Sequence, residues 1–235
     1  MKNPQALSLY LIPCPLAEET NDIVLSPQIK ETIAELDIFF VENIRTSRRF
    51  ISSLKLGKVI DNITFYELTK DTPEHETRQQ LTNLTQNAGI ISEAGCPGVA
   101  DPGAIAVKIA HQLAILVTPL VGPSSILLAL MASGMSGQSF VFHGYLPIDK
   151  ALRKKNIQQL EKDAHHKNQT QLFMETPFRN NQLMEAVLEV CQPETLLCVA
   201  SNLTAPDEFV KTLPIKQWRK TKPDLHKKPT IFIIG

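Results

Sequence analysis

The stretch SEAGCPGVADPG, residues 92–103, constrains the fold more than any other part of this 235-residue chain. A short apolar run at residues 89–92 leads into it, and a helix-forming run at residues 104–112 leaves it. Between Gly95 and Gly103 lie three glycines and two prolines. Gly removes the Cβ obstacle and Pro fixes φ, so such a segment can bring backbone close to a bound molecule and hold it there. In a parallel sheet a strand-to-helix loop lies at the carboxyl edge, where open α/β sheets bind ligands. The same composition also suits an ordinary tight crossover.

The rest of the first half alternates in the same way. Strands are predicted at residues 7–12, 38–41, 63–67, 89–92 and 114–118, and helices at 27–36, 46–54, 73–86 and 104–112. Two helices open with Ser26-Pro27 and Thr72-Pro73. There a hydroxyl can accept an orphan N–H, and Pro at the first helical position gives up none that was needed. This alternation implies a mainly parallel sheet with right-handed crossovers. The second half reads differently, with a helix at 124–133, strands at 139–143, 171–174, 196–200, 208–212 and 230–234, and helices at 152–164 and 181–190. Its late strands follow one another without a long helix, which predicts antiparallel neighbours and a mixed sheet. The fold class expected is α/β in two domains, residues 1–120 and 121–235, with the Pro- and Gly-bearing stretch Leu120–Pro123 as the link.

Composition narrows the function classes. Lys and Arg balance Asp and Glu at a formal net charge of zero, so no global field draws the chain to nucleic acid or membrane. The four cysteines, Cys14, Cys96, Cys191 and Cys198, form no CxxC and no zinc spacing, which fits a reduced, cytoplasmic setting. The six histidines are scattered, and no metal site is expected. No apolar run reaches membrane-spanning length, and Met1–Gln5 carries no signal-peptide pattern.

Six motifs recur in order: Pro13-Cys14-Pro15, the 92–103 loop, Gly122-Pro123-Ser124-Ser125, Gly144-Tyr145-Leu146-Pro147, Met174-Glu175-Thr176-Pro177-Phe178-Arg179 and Ala200-Ser201-Asn202-Leu203-Thr204. In this order the chain resembles the tetrapyrrole-methylase superfamily of S-adenosylmethionine-dependent methyltransferases. Within it the chain looks most like the bacterial small-subunit rRNA cytidine 2′-O-methyltransferases, whose runs read P-T-P, S-D-A-G-T-P-x-x-S-D-P-G, P-G-P-S-A, G-F-L-P, Y-E-S-P-H-R and A-R-E-L-T. The resemblance implies an enzyme of two α/β domains with the cofactor in the cleft between them, and a homodimer. It implies cofactor contacts from Leu16, Ala94, Gly95, Cys96, Val99, Ser124, Ser125, Glu175, Leu203, Pro229 and Thr230. For each a structural role stands beside the functional one: Ser124 can be simply an N-cap, and Leu203 simply core. Cys96 and Cys14 are read as small lining residues rather than nucleophiles, because methyl transfer from S-adenosylmethionine needs no covalent enzyme intermediate. Asp101, before Pro102, is favoured as a helix cap over a catalyst.

On the substrate side the chain reads VENIRTSRR, residues 41–49, where the resembling family reads A-E-D-T-R-x-T-R. Glu42, Arg45 and Arg48 match, and Asn43 departs from Asp. Arg45, Arg48 and Arg49 stand three and four apart and can share a helical face, suited to phosphates or carboxylates. Glu42 is the catalytic candidate, able to accept a hydroxyl proton or to orient an Arg. The basic segment 216–228, with Trp218 inside it, suits single-stranded RNA by phosphate neutralisation and stacking, and equally a solubilising loop. Two departures bear on the substrate: Glu18 and Glu19 in the first loop disfavour RNA there, and residues 66–70 lack the family's His-rich run. rRNA 2′-O-methylation is the leading reading; a small-molecule methylase and a non-catalytic cofactor-binding module are the alternatives.

Overall fold

A computed structural model describes residues 7–235. The Met1–Gln5 stretch discussed above lies outside the described residues. The chain divides into two compact units, the first ending at Pro123 and the second beginning at Ser124.

The first unit contains β1 (Ser8–Ile12), α1 (Asn21–Val24), α2 (Pro27–Glu35), β2 (Ile38–Val41), α3 (Ile44–Ser53), β3 (Thr64–Glu67), α4 (Glu74–Thr82), β4 (Ala88–Ile91), α5 (Gly103–Gln112) and β5 (Leu116–Pro119). Its strands are all parallel, in the order β3-β2-β4-β1-β5. The central strands β2 and β4 are short apolar runs because both their faces are covered. Ile12, Ile29, Ile33 and Ile51 pack α2 and α3 into one cluster. Leu9, Phe40, Leu81 and Ile109 pack α4 and α5 into another.

The second unit contains α6 (Ser125–Ser133), β6 (Phe140–Tyr145), α7 (Lys150–Lys167), β7 (Thr170–Met174), α8 (Asn180–Val190), β8 (Leu196–Ser201), β9 (Phe209–Pro214), α9 (Ile215–Trp218) and β10 (Thr230–Ile234). The sheet order is β6-β7-β10-β8-β9. Only the β6–β7 pair is parallel, so this sheet is mixed. β10, TIFII, is buried at every position and forms the spine of the core with Phe173 and Phe232, whose rings stack at 5.8 Å.

Several local expectations are corrected. The fifth strand begins at Leu116 rather than Ala114, because Ala114 sits at φ 55° and still belongs to the turn after α5. Ser26 makes no capping hydrogen bond, and its hydroxyl is buried without a partner. The Thr72 hydroxyl accepts from the Thr69 N–H instead of capping, so Pro73 becomes the cap and α4 starts at Glu74. α4 stops at Thr82, short of residue 86. Two helices run longer than expected because side chains cap them. Asn43 accepts from the N–H groups of Arg45 and Thr46, and Asp149 accepts from that of Leu152.

Candidate functional site

The winding of the first unit reverses between β3 and β4: β1 and β2 lead outward over one face, β3 and β4 lead back over the other. The neighbouring strands β1 and β4 therefore release their loops to opposite faces of the sheet, the arrangement that opens a crevice at the carboxyl edge. The two loops are tied together there. The Cys14 N–H donates to the Gly95 carbonyl at 2.9 Å, and the Gly95 N–H donates back to Cys14 at 3.1 Å. Gly95 holds φ +72°, and an added Cβ would lie 3.3 Å from Leu16 Cδ2. The loop after β5 joins the stack at Gly122, where a Cβ would fall 2.2 Å from Pro13 Cβ, so only glycine permits that approach.

The thiols of this edge are quiet. Cys14 is buried, and burial pushes its thiol far above the ordinary range. Half-buried Cys96 donates to the Pro123 carbonyl at 3.3 Å, and burial raises its thiol too. A reactive cysteine needs a lowered pKa, so neither is built as a nucleophile. Val99 and Ala94 are exposed on the same loop, and Leu16 is half-buried beside it.

Asp101 holds this loop closed. Its Oδ1 accepts from the N–H groups of Gly98, at 2.8 Å, and of Gly103, at 2.7 Å, so one oxygen anchors both the loop and the first residue of α5. Its Oδ2 is buried without a partner, and burial raises its carboxyl above the usual range against the lowering effect of the two N–H donors.

Glu42 stands at the end of β2. Its Oε2 accepts from the Glu93 N–H at 2.8 Å, which links it to the 92–103 loop. Burial raises its carboxyl, and Asp101 and Glu93 add to the rise while the Glu93 N–H opposes it. Arg45 is exposed and carries no ion pair among the described residues. The Arg48 guanidinium makes an exposed ion pair with Asp61. Arg49 instead faces, with Leu16, Phe50, Glu18 and Glu93, an open depression of about 460 Å³.

In the second unit the pairings set the carboxyl ends of β7 and β8 and the start of β10 along one edge, with Met174 opposite Ile231 and Ser201 opposite Thr230. Glu175, Leu203, Pro229 and Thr230 gather there. The Glu175 side chain is 1% exposed, and its Oε1 accepts from the Thr176 N–H at 2.7 Å and from Arg179 at 2.6 Å. Four buried polar atoms in this region lack a partner: Glu175 Oε2, Arg179 Nε, Asn180 Oδ1 and Thr204 Oγ1. Thr204 also holds φ +70°, costly for a β-branched residue. Buried polar groups are normally satisfied by protein, water or ligand, so these four atoms are free to bond an added molecule. S-Adenosylmethionine carries amine, carboxylate, hydroxyl and ring-nitrogen groups of both hydrogen-bonding senses, and this set of donors and acceptors fits it. Ser124 caps α6 through its hydroxyl, which accepts from Leu127 N–H at 3.4 Å, and Ser125 is the first helical residue.

The site residues gather as two sets, each within its own unit. The basic segment is corrected. Trp218 is 1% exposed and donates to the Leu197 carbonyl at 2.8 Å, so it is core and offers no face for stacking. Arg219 donates to the Leu188 and Cys191 carbonyls at the end of α8, and Lys216, Lys222 and Lys228 pair with Glu194, Glu185 and Asp207. Sequence reasoning named Gly122 only as part of a motif and link, and missed the strain at Thr204 and the burial of Arg153. No cluster of His, Cys, Asp or Glu able to hold a metal occurs among the described residues. No described helix is long and apolar enough to cross a membrane.

No family model matches the chain. Among curated proteins, it is 30% identical over 215 residues to ribosomal RNA small subunit methyltransferase I of Mesorhizobium japonicum, covering 89% of this chain and 68% of that one. The protein of the same name from Vibrio cholerae is 27% identical over 215 residues, covering 89% and 69%. That of Buchnera aphidicola is 26% identical over 231 residues, covering 96% and 77%. Among solved structures, the cobalamin biosynthetic enzyme cobalt precorrin-4 methyltransferase CbiF superposes with TM-score 0.63 at 13% identity, covering 100% of this chain and 98% of that one. The methyltransferase CobJ gives TM-score 0.62 at 15% identity, covering 98% and 94%. These two likenesses establish the fold.

Proposed function

We propose that this chain, which belongs to the ribosomal RNA small subunit methyltransferase I family, transfers a methyl group from S-adenosylmethionine to a ribose 2′-hydroxyl of small-subunit rRNA. The observation that carries the reading is the 30% identity, spread over 89% of the chain, to a relative of that name. The tied loops at the β1/β4 edge support it as a binding edge.

When bound, S-adenosylmethionine supplies an electrophilic methyl group on sulfur. In the transfer an oxygen–carbon bond forms, a sulfur–carbon bond breaks, and the hydroxyl proton must leave. The chain's work is alignment and the handling of that proton. In the first unit the residues that would contact the donor are Leu16, Ala94, Gly95, Cys96 and Val99. In the second unit the candidates for cofactor contact are Ser124, Ser125, Glu175, Leu203, Pro229 and Thr230. Glu42 takes the hydroxyl proton: its raised carboxyl is a stronger base than an ordinary Glu, and Glu93 N–H fixes its orientation. Arg45 meets substrate phosphate. Arg48, whose pair with Asp61 is exposed and weak, offers a second phosphate contact.

The enzyme works in the cytoplasm as a homodimer. Support for the dimer comes from the second unit, where Leu127 and Met131 of α6, Phe140 and Tyr145 of β6, and Ile148 and Leu152 nearby are exposed. Light scattering that returns a monomer mass across the micromolar range refutes the dimer.

Mass spectrometry of nucleosides from small-subunit rRNA tests the function. A deletion strain loses one 2′-O-methylated nucleotide, and the purified chain restores it to small subunits from that strain when S-adenosylmethionine is added. An unchanged nucleoside profile overturns the reading.

A further inference from the structure

We propose that the N-terminal turn of α7 carries an anion site centred on Arg153, and that its occupant is a backbone phosphate of the nucleic-acid substrate. The identity of the occupant rests on the function proposed above; the existence of the site does not.

Arg153 is 5% exposed, yet it makes no ion pair and no side-chain hydrogen bond with any described residue. Its Nε is sealed from solvent without an acceptor, whereas its terminal nitrogens are not sealed. The other partly buried arginines are answered: Arg48 by Asp61, Arg78 by Gln112, Arg179 by Glu175. A guanidinium cannot shed its proton, and a buried charge without a counter-charge is strongly disfavoured. An anion from outside would supply the missing counter-charge.

Most of the surroundings are positive. α7 is 18 residues long, so its N-terminus carries a partial positive charge. Asp149, the N-cap, accepts from Leu152 N–H at 2.9 Å and is the acid at this helix end; no acid stands in the first turn. Lys150 and Lys155 are exposed, and Lys154 is engaged by Glu189. Position agrees as well. β6 and β7 are parallel, with Tyr145 opposite Met174, so the loop that opens α7 emerges beside the loop holding Glu175 and Arg179. A planar fork at the surface end of a buried stem matches a phosphate oxygen pair better than a point contact does.

The test is Arg153→Met in the full chain, which keeps the stem's volume and removes the charge. The probes are a short fluorescent single-stranded ribo-oligonucleotide and, separately, inorganic phosphate. The melting temperature without ligand is expected to hold or rise, since an unanswered charge is gone. Affinity for the oligonucleotide falls roughly tenfold to a hundredfold. The slope of log affinity against log salt drops by about 0.7, the share of one phosphate on a single strand. S-Adenosylmethionine still raises the melting temperature as in the parent. Lys154→Gln, which removes a charge already paired, serves as the control and changes affinity little. Arg153→Lys keeps the charge without the fork: it retains most of the salt slope while losing affinity, and it decides the matter if the Met variant folds poorly. Unchanged oligonucleotide affinity and salt slope in both variants overturn the proposal. If phosphate stabilises the parent but not the Met variant while RNA affinity is equal in the two, the occupant is free phosphate and the RNA assignment is overturned. A parent chain that binds the oligonucleotide through Arg153 yet methylates no small subunits would sink the methyltransferase reading and leave this one standing.

Discussion

Replacing Asp101 separates a loop anchor from a catalyst. One oxygen of Asp101 satisfies the N–H groups of Gly98 and Gly103. Asp101→Ala removes both acceptors at once. Each N–H left without a partner costs about 1–3 kcal/mol, and the half-buried setting lets water recover part of it, so the loss expected is about 2–4 kcal/mol. Asp101→Asn keeps an acceptor oxygen and is expected to fold nearly as well as the parent. The pH dependence gives an independent check. Burial raises the Asp101 carboxyl, so its contribution to stability is fully present below the unfolded value, about 4, and is lost as pH rises through the folded value. The Asn variant lacks that loss and gains on the parent across this window. Urea unfolding followed by far-ultraviolet dichroism at several pH values measures both effects. The single tryptophan, Trp218, lies in the second unit, so its fluorescence reports that unit separately. Hydrogen exchange at the Gly98 and Gly103 amides localises the change: protection is lost in the Ala variant and kept in the Asn variant. If Ala and Asn destabilise equally and by less than about 1 kcal/mol, Asp101 does not hold the loop. If Asn folds like the parent but abolishes methyl transfer, the carboxylate does chemistry and its assignment as an anchor is wrong.

Gly122→Ala forces a Cβ to within 2.2 Å of Pro13 Cβ, a rigid ring that cannot swing aside, and is expected to destabilise the first unit by about 1–3 kcal/mol in urea unfolding. Glu42→Gln keeps an acceptor for Glu93 N–H but cannot take a proton; methyl transfer is expected to fall about a hundredfold or more. The parent's rate should rise with pH through a value above the usual Glu range, since burial raises that carboxyl, and the limb should vanish in the Gln variant; a pH profile shared by both rules out Glu42 as the base. Arg45→Ala is expected to weaken RNA affinity roughly tenfold with stability unchanged. Arg48→Ala is expected to cost under about 1 kcal/mol of stability, the ordinary worth of an exposed pair, as urea titration would show.

What could be read in the sequence follows from how local its cause is. The runs at Ile38–Val41 and Thr230–Ile234 announce buried central strands because apolar, β-branched and aromatic residues packed on both faces leave no other pattern. The 92–103 loop announces a close backbone approach because the steric freedom of Gly and the fixed φ of Pro belong to those residues alone. The misreadings all concern partners set by the fold. Trp218 reads as a stacking platform until the Leu197 carbonyl and the core claim it. Ala114 reads as the start of a strand because nothing in its side chain reports a left-handed turn. Arg153 is the sharpest case. In sequence it is one cation of the Arg153-Lys154-Lys155 run, and composition cannot rank the three. Folded, Lys154 is paired, Lys155 is solvated, and Arg153 is mostly buried with no ion pair among the described residues. A charge run therefore looks uniform until burial distinguishes its members, and the member to examine is the one whose stem and Nε the fold has enclosed without an acceptor.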